Sequence, residues 1–565
     1  MISERIKLLR KKFIINKIDG YIIPKNDEFF GEYSSQDRLK NISNFDGSAG
    51  LAIILKDKNL LFVDGRYTIQ AKKQSGKYFK IIEIHKFLPY KIIKNLSIGF
   101  DPTLFTEKQL KVYFNNTSTL KPISKNLIDE IYKKKITTTK PFFSLNKKIT
   151  GESHLSKIKK IIKKMDIPKA DYIFISAPEN VAWLLNIRGH DNPNSPIPNC
   201  RMLISRKNRI FLFVDKKKVS KIVKEKKLNN YKIVKPDHFE MVVKNLKGKK
   251  FIIDPLTCSI KNENIIKSKF QIIQKNDPCY KLKSIKSRAE IKNMIDAHIE
   301  DGVALTKFIF WIKYKNKKKI TEIDAEKKLE KFRKMNKNYL FPSFNTIAGS
   351  GSNGAIVHYR ATKSSNKVIK KKDIFLCDSG GQYNFGTTDV TRTICFSEQK
   401  NSIKNIFTKV LKGHIAVATT NINKLNKGKQ IDIRARQFLK KDGLDYAHGT
   451  GHGVGFFLNV HEGPQSISKY NSVKLEEGMV ISNEPGYYKK GHFGIRIENL
   501  VFIKKRNKNL NFENLTLAPI EKDLINFDLL NKKEKEYLFK YHLNVYAKIS
   551  KFLNKEEKKW LANLI

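Results

Sequence analysis

Positive charge is missing from three places in a chain that carries it almost everywhere else. Lys and Arg number 111 of 565 residues, against 54 Asp and Glu. Yet neither occurs in Asp373–Thr391, in Asp442–Ser468 or in Leu475–Tyr488, which are rich instead in Gly, His, Asp and Glu. A cation-binding centre imposes such an exclusion, because a nearby ammonium repels a divalent ion. The fold therefore has to bring three distant windows to one place.

The formal net charge of +57 invites a nucleic-acid reading. The basic residues, however, are mostly Lys and run from Lys7 to Lys559, whereas a nucleic-acid surface concentrates them and interleaves aromatics. A solvated, Lys-saturated surface with no specific nucleic-acid partner is the expectation. Hydrophobic residues at 40% and aromatics at 11% are enough to build cores. The five cysteines are scattered, odd in number and without a C-x-x-C pair, so a disulfide framework is not expected and a reducing compartment fits. The first residues carry charges throughout and lack an apolar signal core, and no apolar run reaches the ~18 residues of a membrane span. The expectation is a cytoplasmic protein with no membrane partner.

The length suggests several domains. Residues 1–146 mix an amphipathic helix at Ile6–Phe13 with short strands at Gly20–Pro24, Leu51–Leu55 and Leu60–Val63, which predicts an α/β layer. A basic stretch at 147–153 reads as a linker. Residues 147–282 form a second α/β section, with strands near Tyr172–Ser176, Met202–Ser205, Ile210–Val214 and Phe251–Asp254. The third section, 283–565, opens with the capping-box pattern Ser287-Arg-Ala-Glu290, followed by Ile291, Met294, Ile295, Ile299 and Val303 at helical spacing. A helix is expected over Asp324–Asn336, then strands and Gly-rich turns to Ile503. From about 515 a helical extension is expected, interrupted near Asn554.

In the first window an apolar strand ends on Asp378, glycines turn the chain, and a second strand begins near Asp389; two carboxylates are expected to face each other across the hairpin. Taken alone, such aspartates also suit turn capping. In the second, His448-Gly-Thr-Gly-His452-Gly-Val-Gly455 holds four glycines in eight residues, a tight loop presenting imidazoles, and His461 follows. In the third, Glu484 precedes Gly494-Ile-Arg496-Ile-Glu498, where strand alternation puts Arg496 and Glu498 on one face; taken alone, these also suit an ion pair. Asp378, Asp389, His452, Glu484 and Glu498 together offer four carboxylates and one imidazole, which nearly neutralise two divalent cations. Hard oxygen donors with a single imidazole favour Mn²⁺, with Co²⁺ or Zn²⁺ as alternatives.

The motifs Asp378-Ser-Gly-Gly-Gln-Tyr, Thr388-Asp389-Val-Thr-Arg-Thr, His448-Gly-Thr-Gly-His452-Gly-Val-Gly, Val460-His461-Glu-Gly-Pro, Asn483-Glu484-Pro-Gly and Gly494-Ile-Arg-Ile-Glu498-Asn resemble the pita-bread metallopeptidases, and among them the long three-domain aminopeptidase P family. Tyr21-Ile-Ile-Pro-Lys-Asn-Asp-Glu, Phe62-Val-Asp-Gly-Arg-Tyr67, Asn180–Gly189 and the tail from Leu515 extend the likeness over the whole chain. The resemblance implies two similar N-terminal α/β domains, a C-terminal α+β pita-bread catalytic domain, and a homodimer. It implies cleavage between an N-terminal residue and a following proline, by attack of a hydroxide bridging two divalent metals. Asp378, Asp389, His452, Glu484 and Glu498 match the metal ligands, with Glu484 also handling the proton. His358, His448 and His461 match the substrate-site histidines, and Arg496 matches a residue that holds the carboxylates. A prolidase-type dipeptidase on the same fold and a non-catalytic polyanion-binding relative are the alternatives. One decoy remains: Gly349-Ser-Gly351-Ser-Asn-Gly354 fits the dinucleotide fingerprint, but Ala355–Tyr359 reads as strand where the fingerprint must open a helix, so nucleotide binding is not expected.

Overall fold

The computed structural model describes residues 1–33, 36–132, 140–228, 231–316 and 318–565. The chain divides into two compact units, Met1–Lys147 with Glu152–Tyr280, and Lys148–Gly151 with Lys281–Ile565.

The first unit contains two six-stranded sheets of one design. In the first sheet the spatial order is Lys80–Glu83, Asn59–Val63, Leu51–Leu55, Gly20–Pro24, Ser97–Phe100, Thr119–Pro122. In the second it is Tyr231–Val234, Ile210–Phe213, Arg201–Ser205, Tyr172–Ile175, Lys250–Ile253, Gln271–Gln274. Read in that order, the pairings of both are parallel, antiparallel, antiparallel, parallel, parallel. The two similar α/β layers expected from the sequence are present. Strand alternation explains why Gly20–Pro24 is buried on both faces. Tyr21 and Ile23 pack with Ile6, Leu9 and Phe13 of the Ile2–Asn16 helix, while Ile22 packs with Leu110 and Phe114 of the Glu107–Phe114 helix.

The stretch 147–153, expected as a linker, forms a helical turn at Lys147–Thr150 and then the Ser153 cap of the His154–Asp166 helix. Its order has a cause in the second unit. The Ile149 carbonyl accepts from Asn293 Nδ2 at 3.2 Å, and the Thr150 carbonyl from Ser287 Oγ at 3.1 Å.

In the second unit Ser287 opens the Arg288–Phe310 helix: its hydroxyl accepts from the Glu290 amide at 3.1 Å, and the Glu290 carboxylate accepts from the Ser287 amide at 2.8 Å. The next helix is Glu322–Lys334, two residues ahead of expectation, because Thr321 caps it with Asp324 closing the box. Antiparallel sheets follow. One has the order Ile347–Ser350, Phe375–Ser379, Val390–Ile394, and another Glu462–Ile467, Gly451–Gly453, Val480–Asn483, Asn499–Arg506, Asn509–Asn514. Helices and antiparallel sheets thus give this section the α+β content expected of it.

The tail ends in helices Lys532–Ile549 and Lys555–Ala562, the second capped by Asn554. Leu538, Tyr541, Val545 and Ile549 share a core with Phe407, Leu411, Ile495 and Ile497. Arg392, fully enclosed, stitches this extension to the sheets: it donates to the carbonyls of Glu498 (2.6 Å), Ala518 (2.8 Å) and Pro519 (2.9 Å), and to the Tyr541 hydroxyl at 2.9 Å.

His414, on the Asn401–Ala418 helix, is buried with neither ring nitrogen hydrogen-bonded among the described residues. Burial, reinforced by the Arg392 charge, pushes its imidazole down to about 3. The folded chain thus keeps it neutral where the unfolded chain, near 6.5, takes a proton, so its contribution is lost as pH falls below 6.5. By pH 5 this amounts to about 2 kcal/mol. Denaturant unfolding of His414→Leu is expected to show a smaller loss of stability between pH 7 and pH 5 than the parent; an equal loss contradicts the assignment.

Candidate active site

The apolar run Phe375-Leu-Cys forms a strand because it buries against Ala348, Val390 and Ile394, and it ends by delivering Asp378. The strand pairs antiparallel with Val390–Ile394, but the register sets Asp378 opposite Thr391. Asp389 lies diagonally, one residue before the partner strand, so the two carboxylates do not face each other directly as expected. The reason is the intervening chain, which makes its own hairpin from Gly381–Tyr383 and Gly386–Thr387. Gly380 allows it: a Cβ there would meet the Thr388 carbonyl at 2.0 Å.

The second window is not all loop. Gly451–Gly453 is a strand between Glu462–Ile467 and Val480–Asn483, and it carries His452. His452 Nδ1 donates to the Gly453 carbonyl at 2.9 Å, leaving Nε2 aimed at the carboxylates, 3.4 Å from Asp389 Oδ2 and 3.5 Å from Glu484 Oε1. Glu484 follows Val480–Asn483; its amide donates to the Thr450 carbonyl at 2.8 Å, and its Oε1 accepts from Ser482 Oγ at 2.9 Å. Glu498 sits in the break between strands Phe493–Arg496 and Asn499–Arg506. Its amide donates to the Thr391 carbonyl at 3.1 Å, and its Oε2 accepts from Thr391 Oγ1 at 2.7 Å. Donor atoms of Asp389, His452 and Glu498 all lie within 4.8 Å of one another. Ile495 and Ile497 point into the core on the opposite face.

Arg496 connects this cluster to the histidines. Nη2 donates to Asp378 Oδ2 at 2.6 Å, Nε to Thr391 Oγ1 at 3.0 Å, and Nη1 to the Tyr488 hydroxyl at 2.5 Å. Tyr488 in turn lies 2.8 Å from His448 Nε2. Because His448 Nδ1 is 2.7 Å from a carbonyl, that of Gly449, its Nε2 accepts from Tyr488. His448 Nδ1 is also 3.9 Å from Glu484 Oε2. The His461 ring meets that of His452 edge-on, with centroids 4.4 Å apart. His358 lies in a turn, half-buried, and the preceding Val357 carbonyl is 3.5 Å from Arg496 Nη2. That turn corrects the strand expected over Ala355–Tyr359. The three-residue 3₁₀ turn Gly351–Asn353 leads into it, and Gly354 packs on Gly494, where a Cβ would meet the Gly354 carbonyl at 1.8 Å. The glycines serve close approach of backbones, and no helix follows them.

The electrostatics of the cluster are those of unbalanced negative charge. Burial, with Asp378 and Glu484 nearby, pushes Asp389 up to about 6 despite the opposing His452. Burial and then Asp389, Glu484 and Asp378 hold Glu498 well above the carboxylate range. Burial alone would lower His452, but Asp389 and Glu484 outweigh it and bring it up to about 9. Asp378 Oδ1 is buried with no hydrogen-bond partner among the described residues. Orphaned carboxylate oxygen, an imidazole fixed with Nε2 facing in, and mutually repelling carboxylates fit a pair of divalent cations. Among the described residues the other cluster of suitable atoms, Cys395, Glu521 and Asp523, already holds a cation: Lys313 Nζ is 2.7 Å from Glu521 and 3.0 Å from Asp523.

Several supporting residues escaped the sequence reading. Tyr488 ends the third window, but nothing in Gly-Tyr-Tyr-Lys marks its hydroxyl. Arg436, on the Gly428–Lys440 helix, holds the His448 carbonyl at 2.6 Å, the Tyr446 carbonyl at 2.7 Å and Asp432 at 2.8 Å, while Thr450 Oγ1 donates to Asp432 at 2.6 Å. Beside His461, Glu462 is buried with the ammonium groups of Lys286 and Lys283.

Comparison with known proteins agrees with this architecture. The Metallopeptidase family M24 matches residues 292–505, the Creatinase/Prolidase N-terminal domain matches 5–131 and again 133–290, and the C-terminal region of peptidase M24 matches 508–564. A probable Xaa-Pro aminopeptidase P of Laccaria bicolor is 36% identical, covering 99% of this chain and 92% of its own length. The chain belongs to the Xaa-Pro aminopeptidase P family. Within that family, Xaa-Pro aminopeptidase 1 of Dictyostelium discoideum is 34% identical, over 100% of this chain and 96% of its own. The X-prolyl aminopeptidase of Caenorhabditis elegans, described as a cytosolic enzyme with a di-nuclear active site, superposes with a TM-score of 0.92 at 29% identity, covering 100% and 99% of the two chains. Prolidase from Pyrococcus furiosus covers only 63% of this chain and 98% of its own, with a TM-score of 0.51 at 27% identity.

Chelator-stripped protein is expected to take up two Mn²⁺ per chain in calorimetric titration. Arg496→Lys, which cannot reproduce the fork from Asp378 to Thr391 and Tyr488, should weaken uptake by about 10–100-fold. Unchanged affinity contradicts the positioning role.

Proposed function

We propose that this chain is a two-metal exopeptidase that releases an N-terminal residue from peptides with proline at the second position. The observation that carries the reading is the convergence of Asp389, His452 and Glu498 within 4.8 Å, beside Glu484 and Asp378, in a member of the Xaa-Pro aminopeptidase P family. Asp378, Asp389, His452, Glu484 and Glu498 would hold the ions, with Mn²⁺ favoured by the oxygen-rich set and Co²⁺ or Zn²⁺ as alternatives. Two such ions, when bound, lower the pKa of a shared water and polarise the scissile carbonyl.

The protein supplies position and proton transfer. Glu484, its Oε1 oriented by Ser482, takes the proton of the attacking water and relays it to the proline nitrogen as the bond breaks. His448 and His461 stand beside the cluster: His461 would stabilise the oxyanion, and His448, with Nδ1 on the Gly449 carbonyl and Nε2 on Tyr488, would orient the peptide and meet the oxyanion only once it takes a second proton. His358 lines the proline side. Proline's imide nitrogen carries no N–H, so recognition relies on a pocket shaped for the ring. Asp378 is held against Arg496 by Oδ2, which would leave Oδ1 to hold an ion.

A prolidase-type dipeptidase is less well supported, since the prolidase likeness leaves over a third of the chain unmatched. Family likeness also favours a homodimer and a cytoplasmic location, and no described helix is long and apolar enough to cross a membrane. The test is hydrolysis of Xaa-Pro-Yaa and Xaa-Ala-Yaa peptides by chelator-stripped protein before and after Mn²⁺ addition. Only the proline peptides should be cut, only with metal, and Asp389→Asn should abolish it. Equal cleavage of both peptides would defeat the proline pocket while sparing the metal site.

A further inference from the structure

The loop that carries His358 is organised around one carboxylate that has no part in the cluster described above. Glu322 is the first residue of the Glu322–Lys334 helix and is wholly buried. Among the described residues no cation pairs with it. Neutral donors surround it instead. Oε1 accepts from the Ser350 amide at 2.7 Å and from Asn353 Nδ2 at 3.0 Å. Oε2 accepts from the Tyr359 hydroxyl at 2.7 Å and from the Lys367 amide at 3.0 Å. The Glu322 amide closes the ring by donating to the Lys367 carbonyl at 3.0 Å.

Those four donors are spread along one segment: Ser350 and Asn353 enter it, Tyr359 is adjacent to His358, and Lys367 leaves it. The segment between Ser350 and Lys367 has no regular structure beyond the three-residue turn Gly351–Asn353. With no ladder to fix it, its path depends on side-chain bonds: Glu322 receives those from Ser350, Asn353, Tyr359 and Lys367, and Ser365 ties Tyr359 and Asn353 together by accepting from both at its carbonyl. A buried carboxylate without a counter-ion is costly, and only several donors aimed at it make it tolerable. Such a group persists where it fixes a geometry that nothing else fixes. The positive end of the helix dipole also favours the charge at this position.

We infer that Glu322 is the positioning residue for His358, and through it sets how tightly the proline ring is held. The inference rests on the peptidase reading, in which His358 lines the proline side. Glutamine has nearly the same shape, but its amide nitrogen is a donor. It would turn NH₂ toward groups that themselves donate, so at least one of the four loses its acceptor. The loop then relaxes, and His358 moves with it. The metal ligands come from other strands, and the loop meets their Arg496 support only through the Val357 carbonyl at 3.5 Å, so metal stoichiometry is expected to stay at the parent's value.

A double-mutant cycle between Glu322→Gln and His358→Ala, read on Xaa-Pro-Yaa hydrolysis with Mn²⁺ stoichiometry measured for each variant, tests this. Glu322→Gln is expected to raise KM about tenfold with kcat per metal-loaded site little changed. Combined with His358→Ala it should add almost nothing to the loss that His358→Ala causes by itself. Losses that multiply would overturn the inference, since a general weakening of the fold acts whether or not His358 is present. If Glu322→Gln does not fold, the same cycle with Tyr359→Phe, which removes a single donor, carries the same two outcomes. An inactive parent, or a His358→Ala variant as active as the parent, overturns the proline-site reading and this inference with it; multiplied losses in an active parent overturn this inference alone.

Discussion

Like charges forced together out of water are the constraint that organises the catalytic unit. Asp378, Asp389, Glu484 and Glu498 share one small volume with the His452 imidazole and the Arg496 guanidinium. Burial first, and then the neighbouring carboxylates, hold Asp389 and Glu498 above their ordinary range despite these partners. In low dielectric such repulsion is tolerable only where each group is held by hydrogen bonds and where cations complete the site. Both conditions shape the surroundings. Thr391 fastens Glu498, Ser482 fastens Glu484, Arg496 fastens Asp378, and Gly453 fixes the His452 tautomer. The fold beyond them, from the Arg392 staple to the C-terminal helices, keeps these strands in register.

The scarcity of cations near the site now has a physical form. The positive groups that do enter come from outside the three windows: Arg392 is taken up by carbonyls, an amide oxygen and a hydroxyl, and the others arrive with a carboxylate. Arg496 comes with Asp378, Arg436 with Asp432, and Lys286 and Lys283 with Glu462. Among the described residues, the ammonium groups of Lys283 and Lys286 near the site are both paired with Glu462. Each histidine proposed for the substrate side also has a polar anchor nearby: Arg436 for the backbone of His448, the lysine–Glu462 group beside His461, and Glu322 for the loop of His358.

Much of this was legible in the sequence because its signals are local. The strand Gly20–Pro24, the Ser287–Glu290 box and the break at Asn554 depend on neighbours within a few residues, and they appear where pattern reading put them. The carboxylates and histidines were visible because acidic and imidazole groups stand out against a Lys-rich background. What stayed hidden depends on partners far along the chain. Glu322 looks like any exposed glutamate opening a helix until Lys367 and Tyr359 fold over it. Lys286 looks like one more surface lysine, 176 residues from Glu462. The diagonal placement of Asp378 and Asp389 follows from a hairpin inserted between them, and the turn after Gly354 from packing against Gly494. Neither contact leaves a mark in local composition.

The central claim is that two divalent ions sit among these five side chains. Anomalous diffraction from crystals grown with Mn²⁺, recorded on both sides of the manganese edge, tests it most directly. The account predicts two peaks a few ångströms apart, bounded by Asp378, Asp389, Glu484 and Glu498 oxygens with His452 Nε2 on one of them. Peaks elsewhere, or side chains of this cluster bonded only to one another and to water in fully loaded protein, would contradict it.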